Sequence, residues 1–186
     1  KTVGIIGTGK IGRVFADICK GFGMKILAYD KFPSPDSGLH YVSLEEIWQE
    51  SDIISLHCPL TEETRHMISS TSIAQMKDGV VIVNTSRGGL VSTEDLIEGI
   101  KQQKVGAACL DVYEEEGDLF YEDFSGNIVQ DDKLVRLIAM PNVIVTSHQA
   151  FLTNEALHNI AATTINNLVH FFSGNPDGTT EVVCPN

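Results

Sequence analysis

Three ionisable side chains follow three apolar runs that have the composition of strands. Arg87 comes three residues after VVIVN, Glu116 five residues after VGAACLD, and His148 two residues after NVIVT. An imidazolium can protonate the alkoxide that forms when a ketone is reduced, and a neighbouring carboxylate favours that charged ring and fixes its orientation. A guanidinium binds a carboxylate and polarises the adjacent carbonyl. Together the three residue types match what reduction of a 2-keto acid requires.

Each of these side chains also has a simpler structural explanation. An arginine can cap a helix, a glutamate can be solvated, and a histidine can hydrogen-bond within a loop. The position they share favours chemistry, because the carboxyl ends of parallel strands meet at one edge of a sheet. We therefore predict that Arg87, Glu116 and His148 lie close together.

The segment GTGKIG, residues 7 to 12, has the pattern of a dinucleotide-binding turn. It leaves an apolar run and enters an amphipathic segment, which is the context that distinguishes this pattern from glycines serving only as turn residues. Gly7 permits the tight turn, Gly9 lets a pyrophosphate approach the backbone, and Gly12 allows close packing of helix and strand. Free amides and the helix dipole then hold the anion without a basic patch.

Asp30 follows Gly12 by 18 residues, at the end of the second apolar run. A carboxylate there accepts hydrogen bonds from the adenosine ribose and repels a 2′-phosphate. The sequence therefore predicts NAD rather than NADP as the cofactor, an inference that the adjacent Lys31 weakens slightly.

Six short apolar runs alternate with helical segments, which indicates parallel strands joined by right-handed crossovers. This pattern predicts an α/β fold, a doubly wound Rossmann sheet of about six parallel strands with helices on both faces. The runs are VGIIG (3 to 7), KILAYD (25 to 30), DIISLHC (52 to 58), VVIVN (80 to 84), VGAACLD (105 to 111) and NVIVT (142 to 146).

Helix starts and helix faces are also marked in the sequence. Ser43 with Glu46 has the spacing of a capping box, and Ser92 with Asp95 approximates one. Two segments carry apolar residues at helical spacing, and we expect each to cover one face against the core. Those apolar positions are Ile11, Val14, Phe15, Ile18 and Cys19 in the first segment, and Leu157, Ile160, Ala161, Thr164, Ile165 and Leu168 in the second.

Composition excludes several classes of function. The 186 residues are 42% apolar, enough for one compact domain, and 13 basic against 25 acidic residues argue against a nucleic-acid partner. The acidic stretch from 114 to 132 is predicted to be a solvated loop apart from Glu116.

No apolar run approaches the roughly 18 residues that cross a bilayer, so we expect no membrane association. Histidines and cysteines lack metal-ligand spacing, so we expect no metal. Scattered cysteines predict reduced thiols and a cytoplasmic location.

Five ordered motifs together resemble the NAD-binding domain of the D-isomer-specific 2-hydroxyacid dehydrogenases, most closely the D-lactate branch. The resemblance covers nearly the whole chain. Gly117 and Ser147 stand where many members of the family have proline, and both departures fit the D-lactate branch better than the phosphoglycerate branch. The motifs are GTGKIG with Asp30, HCPLTEET (57 to 64), NTSRGGLV (84 to 91), LDVYEEE (110 to 116) with the following DLFYED, and SHQAFLT (147 to 153).

The resemblance implies a role for each matching residue. Arg87 would bind and polarise the substrate, Glu116 would support the histidine, His148 would donate the proton, and Phe151 would line the substrate pocket. The implied NAD contacts are Lys10 and Ile11 at the pyrophosphate, Asp30 at the ribose, Cys58 and Pro59 near the adenosine, Thr64, Thr85 and Ser86, and Asp111 toward the nicotinamide.

The resemblance also implies a second domain that residues 1 to 186 do not include. Family members build a second, substrate-binding domain mainly from residues ahead of the nucleotide fold, so we expect residues 1 to 186 to be one NAD-binding domain excised from a longer protein. Residues from about 173 to 186 would run toward the missing domain. The isolated domain should turn over poorly, since closure of the cleft excludes water. Homodimerisation through this domain is expected as well.

The resemblance leaves three functional alternatives. A small 2-keto or 2-hydroxy acid is the expected substrate, with pyruvate and D-lactate the leading pair. Another member of the family, of the D-2-hydroxyisocaproate or glyoxylate type, would differ in pocket residues of the missing domain. An NADH-sensing transcriptional corepressor would use the same scaffold for binding. The HQAFLT and DLFYED segments favour the metabolic branch.

Overall fold

The computed structural model describes residues 1–116 and 131–174, and the chain divides into two compact units at His148. The strands are β1 (Thr2–Ile6), β2 (Lys25–Tyr29), β3 (Ile53–Leu56), β4 (Val80–Asn84), β5 (Val105–Leu110) and β6 (Val143–Val145). The helices are α1 (Lys10–Gly21), α2 (Leu44–Glu50), α3 (Ser70–Gln75), α4 (Thr93–Lys101), α5 (Asp132–Ala139) and α6 (Asn154–Phe172), with short 3-10 turns at Pro35–Ser37 and Gly88–Leu90.

All six strands belong to one parallel sheet with the order β2-β1-β3-β4-β5-β6, so the predicted fold class is confirmed. The chain leaves β1 toward β2 on one side and then continues with β3 on the other side. The carboxyl ends of β1 and β3 therefore form the switch point, where sheets of this kind bind ligands.

Helices cover both faces of the first unit, but unequally. Helix α1 covers one face, where a small cluster forms around Val3, Ile5, Ala16, Cys19 and Ile26. Helices α2 to α5 cover the other face and share a much larger cluster with the strands. Most of the buried apolar surface that stabilises this unit therefore lies on the α2 to α5 face.

The orientation of α1 differs from the expected one. The buried residues are Gly12, Ala16 and Cys19, whereas Ile11 and Ile18 are 72% and 53% exposed. The small residues let the helix lie very close to the sheet, since a Cβ at Gly12 would stand 2.1 Å from the carbonyl oxygen of Gly7. Ile11, Val14 and Ile18 are thereby turned outward, whereas Phe15 is partly buried against the small cluster.

Two other apolar segments are less buried than we predicted. Strand β6 is at the edge of the sheet, and its central residue, Ile144, is 64% exposed. In the second unit, the 19-residue helix α6 has no buried residue, although Leu157, Ile160, Ile165 and Leu168 repeat at helical spacing. The expectation of a covered face is therefore wrong for α6 within this chain.

One of the two predicted N-terminal helix caps forms as expected. The Ser43 hydroxyl accepts the amide of Glu46 at 3.2 Å. Ser92 makes no such bond, and the Asp95 carboxylate instead accepts the amide of Ser70 at 2.8 Å. The remaining predictions for 117–130, for Cys184 and for most of the tail from 173 to 186 fall outside the described residues.

We expect Ile82→Ala to lower the free energy of unfolding by about 2 to 5 kcal/mol. Ile82 is fully buried in the larger cluster, so truncation removes apolar contacts and leaves a cavity. Urea unfolding of the chain measures the change, with Ile144→Ala on β6 as the matched control. An equal loss in both variants would contradict this account of the core.

Candidate active site

Glu116 and His148 meet at the carboxyl edge of the sheet. The Oε1 atom of Glu116 lies 3.0 Å from Nδ1 of His148, and both side chains are largely shielded from solvent. The His148 amide donates to the carbonyl oxygen of Asp111 at 2.7 Å, and its backbone has φ of 52°. A non-glycine residue rarely adopts this conformation, and such a conformation persists only where surrounding contacts impose it.

A second hydrogen bond fixes the Glu116 carboxylate. Its Oε2 atom accepts the amide of Tyr113 at 3.0 Å, and the Tyr113 hydroxyl donates to Asp131 at 2.7 Å. Burial, together with the neighbouring Asp131 carboxylate, raises the pKa of Tyr113 well above its usual range, so the phenol stays a donor. Asp131 also caps α5 by accepting the amides of Lys133 and Leu134. The carboxylate that orients the histidine is thus tied to the start of a helix.

Arg87 lies on the loop that follows β4, shaped by the buried side chain of Asn84. The Asn84 side chain accepts the amide of Ser86 at 3.1 Å and donates to the carbonyl oxygen of Arg87 at 2.9 Å. A Cβ at the next residue, Gly88, would stand 1.9 Å from the carbonyl oxygen of Tyr113. Only glycine therefore allows the loop that carries Arg87 to pack against the loop that carries Glu116.

The turn from residue 7 to residue 12 fits a dinucleotide phosphate. Gly7 has φ of 95°, and a Cβ there would stand 2.5 Å from the backbone of His57. Gly9 precedes the first turn of α1, which begins with Lys10 and Ile11, and no atom lies within 4 Å of where its Cβ would be. The end of α1 is therefore open to an anion, as the sequence predicts.

Asp30 is held at the end of β2 in its charged form. One carboxylate oxygen accepts the amide of Thr8 at 2.6 Å and its hydroxyl at 3.0 Å, and the other accepts the amide of Phe32 at 2.8 Å. Burial acts to raise the pKa of Asp30, but these bonds and the charge of Arg13 outweigh it and lower the pKa below its ordinary value. The carboxylate is therefore kept charged and able to accept hydrogen bonds.

The other predicted cofactor contacts line the same edge of the sheet. The Ser86 hydroxyl donates to the carbonyl oxygen of Cys58 at 2.7 Å, and that of Thr64 donates to the carbonyl oxygen of Pro59 at 2.8 Å. Burial raises the pKa of Cys58 to about 11, so its thiol is neutral. Thr85 is exposed beside Ser86.

Two further predicted residues lie at or beyond the end of the last strands. Asp111 is 7% exposed, and its Oδ1 atom accepts the hydroxyl of Thr146 at 2.5 Å. Phe151 is 45% exposed and belongs to the second unit, so its predicted place in the substrate pocket stays a prediction.

Neither a metal cluster nor a membrane-spanning helix occurs in the part of the chain that the structure describes. Within 1–116 and 131–174, no three histidine, cysteine, aspartate or glutamate side chains are placed to bind one ion. No helix in these ranges combines the length and apolar character needed to cross a bilayer.

Comparison with known proteins decides the family. The model of the D-isomer specific 2-hydroxyacid dehydrogenase family, NAD binding domain, matches residues 1–150. The chain belongs to this family. NAD as the cofactor, predicted from the glycine turn and Asp30, is thereby confirmed.

Individual relatives in the family are about twice as long as this chain. D-lactate dehydrogenase of Escherichia coli (strain K12) is 50% identical over all of this chain and 55% of its own length. The structure of D-lactate dehydrogenase with NAD⁺ from Lactobacillus jensenii has a TM-score of 0.88 at 35% identity, over 100% of this chain and 56% of that one. D-2-hydroxyisocaproate dehydrogenase has a TM-score of 0.86 at 36% identity, over 96% and 55%. The chain spans about half the length of the relatives it matches.

The structure adds a pair of side chains that the sequence did not single out. Nε2 of His66 lies 2.5 Å from one carboxylate oxygen of Glu114, and the other oxygen accepts the amide of Thr93 at 3.2 Å. The His66 amide donates to the carbonyl oxygen of Gly89 at 2.9 Å. Glu114 thus joins the loops after β3, β4 and β5. It directly follows Tyr113, whose amide holds the Glu116 carboxylate. The prediction of a solvated loop from 114 to 132 apart from Glu116 is therefore wrong at Glu114, whose side chain is 17% exposed.

We expect Glu114→Gln to destabilise the chain by about 1.5 to 3 kcal/mol at neutral pH, the range for hydrogen bonds to a charged group. Burial acts to raise the pKa of Glu114, but the bonds from His66 and Thr93 lower it below its ordinary value. The contribution is therefore fully present above the ordinary glutamate pKa of about 4.3 and is lost as the pH falls through the lower native value.

Urea unfolding from neutral to acidic pH measures this dependence, with Glu115→Gln as the control, since the neighbouring Glu115 is exposed. A loss of stability that is equal in both variants, or that does not change with pH, would contradict the role of Glu114.

Proposed function

We propose that the protein carrying this chain is an NAD-dependent dehydrogenase that interconverts a small 2-keto acid and the D-2-hydroxy acid. The observation that carries the proposal is the hydrogen-bonded pair of Glu116 and His148 at the sheet edge that also carries the dinucleotide turn. Arg87 lies on the loop packed against that of Glu116. An acid, its orienting carboxylate and a carboxylate-binding group thus border the cofactor side of the fold.

His148 would donate the proton in the reductive direction. When bound, NADH supplies the hydride to the carbonyl carbon of the keto acid. Because Nδ1 of the ring is engaged by Glu116, Nε2 is the atom that passes its proton to the carbonyl oxygen. The Tyr113 amide keeps the carboxylate from rotating away, so the ring keeps one orientation. Arg87 would pair with the substrate carboxylate and polarise the adjacent carbonyl.

The predicted cofactor contacts would divide by position along the edge. Gly7, Gly9 and Gly12 with the first amides of α1, those of Lys10 and Ile11, would hold the pyrophosphate, and Asp30 would bind the ribose. The remaining contacts would lie along the adenosine and nicotinamide, and they are Cys58, Pro59, Thr64, Thr85, Ser86 and Asp111.

Pyruvate and D-lactate are the substrate pair we propose. The support is the 50% identity to a D-lactate dehydrogenase over the whole chain. A larger acid of the hydroxyisocaproate type is the second candidate, because that dehydrogenase shares the fold over nearly the whole chain at 36% identity. Phe151, if it lines the pocket, would contact the side chain that distinguishes these acids.

The functional assay uses the full-length protein with NADH against a panel of 2-keto acids, recording kcat/KM and the chirality of each product. We expect pyruvate to dominate and to yield D-lactate. Tight NADH binding with negligible turnover of every acid would overturn the proposal in favour of a cofactor-sensing binding module.

In the same assay, His148→Gln should lower kcat by on the order of a hundredfold or more while NADH affinity is retained, since general acid catalysis is lost. NADH binding, measured by fluorescence titration, separates this outcome from misfolding. A variant that keeps kcat and loses NADH affinity would make His148 a structural residue.

We further propose that the chain is the NAD-binding domain of a two-domain protein of the cytoplasm. The support for a second domain is that the relatives are about twice as long, and that α6 leaves its apolar residues exposed within this chain. The substrate domain would complete the acid site and exclude water. The described cysteines, Cys19, Cys58 and Cys109, are free thiols, as is usual in a reducing compartment.

Homodimerisation, which we also propose, is supported by the exposed face of α1. Ile11, Val14 and Ile18 with Phe22 are 53% to 76% exposed and recur along one side of the helix. An uncovered apolar stripe of this kind is typical of a protein interface.

We expect Ile18→Glu to shift the chain from dimer to monomer, because a charge would be buried at the centre of the stripe. Sedimentation equilibrium measures the mass. Ile138→Glu, which changes an isoleucine on α5 that is 61% exposed, is the matched control and should remain dimeric. Dissociation by the control alone would place the interface on α5, and a monomeric wild-type chain would contradict dimerisation through this domain.

A further inference from the structure

The positive charge of Lys31 would favour NADP at a site that we predict to select NAD. It directly follows Asp30, and a cation at the adenosine ribose stabilises the 2′-phosphate of NADP. In the structure, however, Nζ of Lys31 lies 2.5 Å from Oε2 of Glu63. The lysine is therefore held by a second carboxylate, 32 residues away in the sequence.

Glu63 is presented by a well-defined turn after β3. The Arg65 amide donates to the carbonyl oxygen of Thr61 at 2.9 Å, and the Thr61 amide donates to the hydroxyl of Thr64 at 2.8 Å. The same hydroxyl donates to the carbonyl oxygen of Pro59 at 2.8 Å, which closes the turn on itself. The Glu63 backbone is thus fixed, although its side chain is 70% exposed.

The ion pair joins two loops that flank the dinucleotide turn. Lys31 follows β2 and Glu63 follows β3, and β1, which leads into the turn at Gly7, lies between these strands in the sheet. On the β2 side, the backbone is anchored by the bond from the Phe32 amide to Asp30. The pair is therefore located at the carboxyl edge where the adenosine end of the cofactor is proposed to bind.

We propose that Glu63 is a specificity-determining residue that acts with Asp30 to exclude NADP. Asp30 repels a 2′-phosphate directly, and Glu63 neutralises the one cation adjacent to Asp30 in sequence. Arg13 on α1 also acts on Asp30 through its charge, and Glu62 precedes Glu63 on the same turn. The inference rests on the proposed contact of Asp30 with the adenosine ribose.

This arrangement makes the two carboxylates non-additive. With Asp30 present, a released lysine still faces a negative charge, so Glu63→Gln alone should change the ratio of NADPH to NADH affinity by less than about twofold. Asp30→Ala alone should raise that ratio severalfold, because the repulsion of the phosphate is lost while Lys31 stays paired. The double variant should raise it about threefold to fivefold beyond Asp30→Ala, since the lysine then becomes available to the phosphate and an exposed ion pair contributes no more than this factor.

The test measures dissociation constants of NADH and NADPH for the chain and its variants by fluorescence titration at low and high salt. Removing the cation, by Lys31→Ala in the double-variant background, should abolish this further gain. The gain should also shrink at high salt, because the pair and the phosphate are exposed to solvent. Glu62→Gln is the matched control, and it should leave the ratio unchanged in the Asp30→Ala background.

Several outcomes would overturn the inference. Additive effects of the two carboxylates, or an equal gain from Glu62→Gln, would show that only net charge matters. A gain that survives Lys31→Ala but disappears with Arg13→Ala would assign the phosphate to Arg13 instead. Failure of the proposed function looks different, since the wild-type chain would then not bind NADH, or Asp30→Ala would leave the ratio unchanged.

Discussion

The two hydrogen bonds on the Glu116 carboxylate connect the chemistry of the site to the fold. One oxygen meets the imidazole of His148 and the other meets the amide of Tyr113. Tyr113 is in turn bound through its hydroxyl to Asp131, which caps α5, and its carbonyl oxygen packs against Gly88. Because these contacts hold both carboxylate oxygens, a change in any of them would move the carboxylate.

The loops at the carboxyl edge are held mainly by one another. Glu114 joins His66, Arg65 and the start of α4, while Asn84 shapes the backbone around Arg87. The bonds to the Glu114 carboxylate are charge-assisted and therefore stronger than neutral ones, and the Glu114 side chain itself is only 17% exposed. The arrangement leaves the side chains that we propose to react preorganised, which is the condition under which electrostatic and acid catalysis are most effective.

The dinucleotide end depends on close backbone approach instead of side-chain networks. Gly7 and Gly12 let β1, β3 and α1 come within contact distance, and Gly9 leaves the helix terminus open. The same close approach turns Ile11, Val14 and Ile18 of α1 away from the sheet. The close packing that leaves the first amides of α1 open to a phosphate thus also places the apolar stripe on the outer side of the helix.

The sequence by itself determined the six strands and their parallel pairing. It also determined the dinucleotide turn and the meeting of Glu116 with His148. These follow from local patterns, since apolar runs define strands and a parallel sheet brings their carboxyl ends to one edge. Tertiary structure alone decided the burial of α1, the partner of Asp95, and the pairs His66 with Glu114 and Lys31 with Glu63. The members of those pairs are 48 and 32 residues apart. Which of several adjacent acidic residues finds a partner depends on how loops from different strands pack, and no local spacing encodes that.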